Sequence, residues 1–222
     1  NSIVPRLAEA IGLAVGDGCL TWATAERGER PMVILAMHRD EAAVLEAIAG
    51  EISEQKHLRK AVGSIGPNDG VHVWFGATGS RLAFASRPVI EQFMQYAALD
   101  EGNSEKRLKP AVHGLDRASL AGVLRGLFTA DGTVVDSGDT SQCVGLDSTS
   151  LELLVQVQRL LLAFGVKAKL HENRRGGFFQ ALLPDGRGGM KTYPVREVHS
   201  LRITRTSRRA FEREIGFMAE SP

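Results

Sequence analysis

The chain has 222 residues, of which 43% are hydrophobic and 24% charged, and its 27 basic and 26 acidic side chains leave a net charge of +1. This is ordinary globular usage for one large domain or two small ones, and it excludes a disordered, collagen-like or coiled-coil chain. No apolar run approaches the roughly 18–20 residues of a membrane helix, no leader pattern opens the chain, and two cysteines, Cys19 and Cys143, cannot build a disulfide framework, so a soluble protein of the reducing cytoplasm is expected.

In chain order, residues 7–16 have helical spacing and stop at Asp17-Gly18. Residues 33–37 read as a strand, 41–54 as an amphipathic helix, 71–75 and 82–85 as strands, and 88–97 as a helix. A charged segment, 100–113, leads to a helix over 116–130 with Leu120, Val123, Leu124 and Leu127 on one side. Residues 134–135 and 142–146 flank a turn-rich stretch as a hairpin. Ser148 or Ser150 can cap a long helix whose Leu151, Leu154, Val155, Gln158, Leu161 and Leu162 run to Gly165. Residues 167–173 alternate, with Lys167, Lys169, His171 and Asn173 on one face. Residues 178–183 and 198–204 read as further strands and 207–216 as a last helix.

The chain repeats itself. At an offset of 114, Gly12 falls on Gly126, Leu13 on Leu127, Asp17 on Asp131 and Gly18 on Gly132; at an offset of 121, Arg81 falls on Arg202 and Ser86-Arg87 on Ser207-Arg208. The expected architecture is therefore α+β, a pseudo-twofold repeat of α-β-β-α-β-β-α units. Residues 1–98 form one half, 99–115 a linker and 116–222 the other half.

The chemistry is expected where the first helix of each half stops. Gly18 and Gly132 are the expected left-handed residues beyond the last turn, which places Asp17 and Asp131 at the negative end of a helix dipole, at a cost of roughly 0.3–1 kcal/mol each. Ala8, Gly12 and Gly16 are spaced four apart, as are Gly122, Gly126 and Ala130. Glycine inside a helix costs roughly 1 kcal/mol relative to alanine, so these ridges need a packing reason. If they pack on each other, Asp17 and Asp131 arrive side by side. Two adjacent carboxylates raise each other's pKa unless cations neutralise them, and hard oxygen ligands with open positions suit Mg²⁺.

These residues resemble a known family. Ala10-Ile-Gly-Leu-Ala-Val-Gly-Asp-Gly18 and Leu124-Arg-Gly-Leu-Phe-Thr-Ala-Asp-Gly132 are similar to the two LAGLIDADG (dodecapeptide) motifs of single-chain homing endonucleases, and the likeness covers nearly the whole chain. Residues 16–21 and 106–132 look most like the endonuclease regions of inteins that interrupt ribonucleotide reductases. The resemblance implies two antiparallel sheets lying in the DNA major groove with the motif helices at the centre. It also implies metal sites at Asp17 and Asp131 with Gly16 and Ala130 beside them, and Gly12, Gly16, Gly122 and Gly126 at the helix interface. The implied activity is Mg²⁺-dependent hydrolysis of both strands of a long, asymmetric double-stranded target, leaving 3′ overhangs; Mn²⁺ substitutes, and Ca²⁺ binds without supporting cleavage. A monomeric pseudo-dimer would need no protein partner and no membrane. Arg87 and Arg205 lie nearest the basic residue that the family places by each scissile phosphate, where an arginine would stabilise charge. Val15 and Thr129 stand where the motif often has a second acid.

Expected DNA contacts are Arg27, Arg30, His38, His72, Trp74 and Arg81 in the first half. In the second they are Gln142, Lys167, Lys169, His171, Arg174, Arg175, Gln180, Lys191, Arg196 and Arg202. Trp22 and Trp74 suit core or sheet packing better than base stacking. Residues 1–100 carry 9 basic and 12 acidic side chains, whereas 167–209 carry eleven basic against three acidic, so phosphate attraction should come mostly from the second half. The chain begins at Asn1 without a splicing nucleophile and ends Glu-Ser-Pro222 without a terminal His-Asn, so self-splicing is not expected of it. A silent nucleic-acid binder of the same fold, an RNA maturase or transcription regulator, is the rival; it has no need of two costly helix-end carboxylates. A metabolic enzyme lacks support, since no nucleotide-binding glycine loop or nucleophile triad occurs.

Overall fold

The computed structural model describes residues 1–25, 28–60, 71–100, 105–136, 138, 142–174, 180–184, 189–194 and 196–221. The first half runs α1 (Pro5–Asp17), β1 (Gly18–Ala25), β2 (Gly28–His38), α2 (Ala42–Lys60), β3 (Val71–Phe75), β4 (Gly79–Phe84) and α3 (Arg87–Tyr96). The second runs α4 (Arg117–Asp131), β5 (Gly132–Asp136), β6 (Gln142–Ser148), α5 (Leu151–Leu161), β7 (Ala168–His171), β8 (Gln180–Pro184), β9 (Met190–Pro194), β10 (His199–Thr204) and α6 (Thr206–Glu214). Each half holds a four-stranded antiparallel sheet, ordered β1-β2-β4-β3 and β5-β6-β10-β7. The α+β pseudo-twofold architecture is thus present, and β1, directly after the motif helix, completes the expected α-β-β-α-β-β-α order of the first half where the sequence spacing marked no strand. The second half departs from that order by the β8–β9 hairpin, a two-stranded sheet of its own.

One face of each sheet is covered by helices. Val44, Leu45, Ile48 and Ile52 of α2 pack with Val33, Leu35, Leu82 and Phe84, and Leu153, Leu154, Val157, Leu160 and Leu161 of α5 pack with Val144, Leu146, Leu201 and Ile203, all at 5% exposure or less. Leu162 of the expected α5 stripe is 58% exposed instead. That helix is leucine-rich on two sides, so spacing alone cannot choose the buried one. Phe93 of α3 meets Phe84 edge-on at 5.2 Å, and Phe211 of α6 meets Phe128 at 4.7 Å, so the last helix of each half closes the same core.

The two motif helices lie parallel at the centre. A β-carbon at Gly12 would stand 1.9 Å from the Val123 carbonyl oxygen, and one at Gly126 would stand 1.9 Å from that of Glu9. At the two ends of the ridge, Gly122 faces the Ala8 methyl and Gly16 the Ala130 methyl. Only glycine permits this approach of backbone to backbone.

Gly18 and Gly132 are not left-handed. Their φ, ψ values are −100°, 160° and −75°, 153°, extended backbone, because each helix passes into its strand without an intervening turn. Glycine is required there for space: a β-carbon would fall 2.5 Å from the Ala14 carbonyl oxygen and 2.1 Å from that of Phe128.

The segment between the halves is built into the fold. Leu108 and Val112 are buried, Ala97 bridges Leu108, and Gln156 of α5 bonds both the N–H and the carbonyl of Leu108, at 2.8 and 3.0 Å.

Gly126→Ala should cost at least about 3 kcal/mol in chemical denaturation, because overpacking here meets backbone that cannot yield. Gly50→Ala in α2, where a β-carbon has nothing within 4 Å, should gain about 0.5–1 kcal/mol. Equal tolerance of the two substitutions would show that the helix crossing is looser than described.

Candidate active site

Asp17 and Asp131 are the last residues of α1 and α4, and the glycine crossing brings these helix ends together. A β-carbon on Gly16 would lie 3.3 Å from Oδ2 of Asp131, so the second carboxylate rests against the backbone of the first motif. Val15 and Thr129, the positions of a possible second acid, are only 1% and 6% exposed, which leaves one carboxylate per motif at the surface. Thr129 Oγ1 instead donates to the Arg125 carbonyl and accepts from the Met218 N–H, both at 2.9 Å.

A cation sits at the seam. Lys106 Nζ donates to the Gly16 carbonyl oxygen. Its own carbonyl accepts from Ser150 Oγ at 2.6 Å, and Ser150 is also the cap of α5, accepting from the Leu153 N–H at 3.2 Å. The segment joining the halves thereby delivers one ammonium to both carboxylates. Burial pushes the Asp17 carboxyl up to about 6, with the Asp131 charge adding to it, Lys106 working against it and Glu41 contributing a further rise. Asp131 is also raised, by burial, with Lys106 again opposing. No cluster of three His, Cys, Asp or Glu side chains suited to a metal occurs among the described residues. The donor set is therefore two carboxylates and the Gly16 carbonyl, all hard oxygens. That set fits Mg²⁺, which keeps several waters and takes further ligands from phosphate.

Comparison with known proteins is consistent with this geometry. Residues 118–216 match the LAGLIDADG-like domain. The full chain is 26% identical over 213 residues, 93% of its length, to the ribonucleoside-diphosphate reductase NrdEB subunit alpha of Bacillus subtilis strain 168, and it spans only 18% of that relative. Among solved structures, a variant of I-DmoI in complex with its target DNA, in the presence of manganese, superposes with a TM-score of 0.60 at 18% identity, covering 98% of this chain and 97% of that one. A second I-DmoI variant, with target DNA in the presence of magnesium, gives 0.59 at 18%, covering 95% of each chain. The chain thus has the fold of single-chain LAGLIDADG homing endonucleases from end to end.

Within that fold, strand register sorts the expected contact residues by face. Arg30, His38, His72, Trp74 and Arg81 share the face of the first sheet that the helices leave open, and His72 stacks on Trp74 with ring centres 5.7 Å apart. Lys169, His171 and Arg202 share the open face of the second sheet, with Lys167 exposed just ahead of them. Gln142 falls in register with the helix-side residues Val144 and Leu146, and its Nε2 donates to Asp136 at 3.0 Å. Gln180 and Lys191 lie on opposite faces of the β8–β9 hairpin. Arg174 and Arg196 are exposed near its base, where the Arg174 N–H bonds the Val198 carbonyl at 2.8 Å. Arg27 and Arg175 lie outside the described residues. Neither tryptophan is in the core: Trp74 is 52% exposed on the open face, and Trp22 is 60% exposed on the helix side of β1.

Arg87 and Arg205 do not reach the carboxylates. β4 begins at Gly79, opposite His38, and ends at Phe84, opposite Val33, so it runs away from Asp17 and carries Arg87 beyond its far end, where Arg87 pairs with Glu91 at 2.9 Å. β10 leaves Asp131 in the same way, and Arg205 sits exposed beyond it at φ 55°. Lys106 is a cation at the carboxylates that the sequence does not single out. In the sequence it is one of three basic residues within 106–109, with no periodicity to mark it out.

A raised carboxyl pKa means that the folded state binds more protons than the unfolded chain between the ordinary carboxylate value, near 4, and about 6. Stability contributed by this pair is therefore lost as pH rises through that window. Without divalent metal, the protein should gain about 0.5–1 kcal/mol on going from pH 7.5 to pH 5 relative to Asp17→Asn, after allowance for solvent screening. Parallel melting profiles for the two proteins across that range would exclude a strained carboxylate at Asp17.

Proposed function

We propose that this chain is a site-specific, divalent-metal-dependent DNA endonuclease of intein origin that makes a double-strand break with 3′ overhangs in a long, asymmetric target. The observation that carries this reading is the pair of helix-end carboxylates, held together by the glycine crossing and under-neutralised by a single lysine. A protein that only binds DNA gains nothing from that arrangement. The I-DmoI structures, with target DNA and with manganese or magnesium present, support a duplex and a divalent ion as ligands. The relative in a ribonucleotide reductase supports an intein setting. The free thiols of Cys19 and Cys143 suit a reducing cytoplasm.

In this reading the residues divide the work. Asp17 and Asp131, with the carbonyl of Gly16 and the neighbouring Ala130, hold the metal. When bound, Mg²⁺ supplies an activated water and charge stabilisation at the scissile phosphates. Lys106 keeps the Gly16 carbonyl oriented and meets the negative charge of the incoming backbone. The open sheet faces take the duplex on either side of the helix ends, so that residues 1–98 and 116–222 each serve one half of the target. Arg87 and Arg205 are left as phosphate anchors away from the cuts.

Asp17→Asn or Asp131→Asn should lower double-strand cleavage by at least about a hundredfold while duplex affinity stays within a few-fold. Lys106→Met should slow cleavage about ten- to a hundredfold without lowering the melting temperature. The assay is to select a bound duplex from a random library and add Mg²⁺. Intact DNA at saturating protein would sink the nuclease reading in favour of a silent binder. Neutralising Lys167, Lys169 and Arg174 together should reduce the salt slope of binding by about two to three. An unchanged slope would mean that these cations do not face phosphates.

A further inference from the structure

Arg202 stands near the middle of the second sheet's open face, opposite Gly145 on β6 and Lys169 on β7. Its guanidinium is fixed. Nη1 and Nη2 donate to the two carboxylate oxygens of Asp147 at 2.7 and 3.2 Å, and Nη1 also donates to the Leu201 carbonyl at 3.1 Å. Ser200 Oγ fastens the same carboxylate at 2.5 Å. A β-carbon at Gly145 would fall 2.4 Å from Nη1 and 2.9 Å from Cζ, so the guanidinium lies against bare backbone that any side chain would fill.

A guanidinium has five N–H donors in a rigid plane. Three are used here. The two that remain, on Nε and on the outer side of Nη2, lie on one edge and point the same way, and no acceptor among the described residues takes them. The charge of Arg202 is already matched by Asp147, which weakens it as a generic phosphate attractant. What remains is an oriented two-donor fork on the face that meets the duplex, complementary to O6 and N7 of guanine in the major groove.

The first half supplies an internal control. Aligned on Gly18 and Gly132, the strand registers put Ala83 where Arg202 stands, Ile34 where Gly145 does, Ala36 where Asp147 does and Arg81 where Ser200 does, so the first sheet has no such fork. Arg81 has no acidic partner among the described residues, so it keeps its charge and its freedom.

We propose that Arg202 is a base-reading residue that selects guanine at one position of the target, and that Asp147 is the positioning residue that aims it. This rests on the DNA-binding reading above. The test uses the full chain and a duplex selected without divalent metal, with competition among the four base pairs at every position. The wild type should prefer G·C by about tenfold or more at one position on the side bound by the second half. Arg202→Lys, which keeps the charge and loses the fork, and Asp147→Asn, which loses the anchor, should each cut that preference to within about twofold. Other positions, affinity for scrambled duplex and melting temperature should hardly change. Arg81→Ala should instead weaken all sequences alike. Unchanged positional preferences in both second-half variants, or a uniform loss of affinity, would overturn the assignment while leaving DNA binding intact. A wild type that retains no duplex would overturn the DNA-binding reading, and this assignment with it.

Discussion

Two contacts between a glycine and a carbonyl, Gly12 on Val123 and Gly126 on Glu9, set the spacing on which everything else depends. They let α1 and α4 run backbone against backbone, and a parallel pair this close must bring both C-terminal ends to one place. Because Gly18 and Gly132 continue directly into strands, the helix pair also sets where each sheet begins. No hinge separates the carboxylates from the surfaces beside them. The fold therefore fixes the open sheet faces relative to the acidic pair through two residues of extended chain.

The same helix shows what an ordinary buried acid looks like. Glu9, at 7% exposure, lies between Arg125 at 2.8 Å and Arg6 at 3.0 Å, and Arg125 also ties down the Ile215 carbonyl at 2.6 Å. A buried carboxylate so supported is a structural clamp. Asp17 and Asp131 have no arginine partner among the described residues, face the negative ends of two helix dipoles, and share one lysine whose hydrogen bond goes to a backbone oxygen. The contrast lies in compensation, since both sites are acidic and partly buried. One is compensated by the protein's own cations and the other only in part.

The features legible in the sequence are those with a period or a repeat. Small residues four apart announce the helix crossing, and the 114-residue offset announces that two such helices meet; Leu120, Val123, Leu124 and Leu127 are all on the buried side of α4. Lys106 is illegible because its placement depends on long-range partners, Ser150 and Gly16, and on the burial of Leu108 between α3 and α5. The conformation of Gly18 and Gly132 escapes the sequence for a related reason. Glycine after a helix can serve a left-handed turn or a crowded straight exit, and only the position of the preceding turn's carbonyl distinguishes them. The face of α5 is ambiguous because two leucine stripes satisfy the same spacing.

The near-zero net charge hides an asymmetry that the structure makes specific. Both halves offer an open sheet face of the same topology, yet the first presents Trp74, His72 and an Arg81 without an acidic partner among the described residues, and the second presents Lys169, His171 and an arginine locked to Asp147. Where a cation is free it contributes affinity that any backbone can satisfy, and where it is compensated it contributes only shape. Two copies of one scaffold can thus present two different surfaces without changing the helices that join them. The exchange of Ala83 for Arg202, of Ile34 for Gly145 and of Ala36 for Asp147 between register-equivalent places is small in sequence, but it puts a fixed fork on one sheet where the other has none.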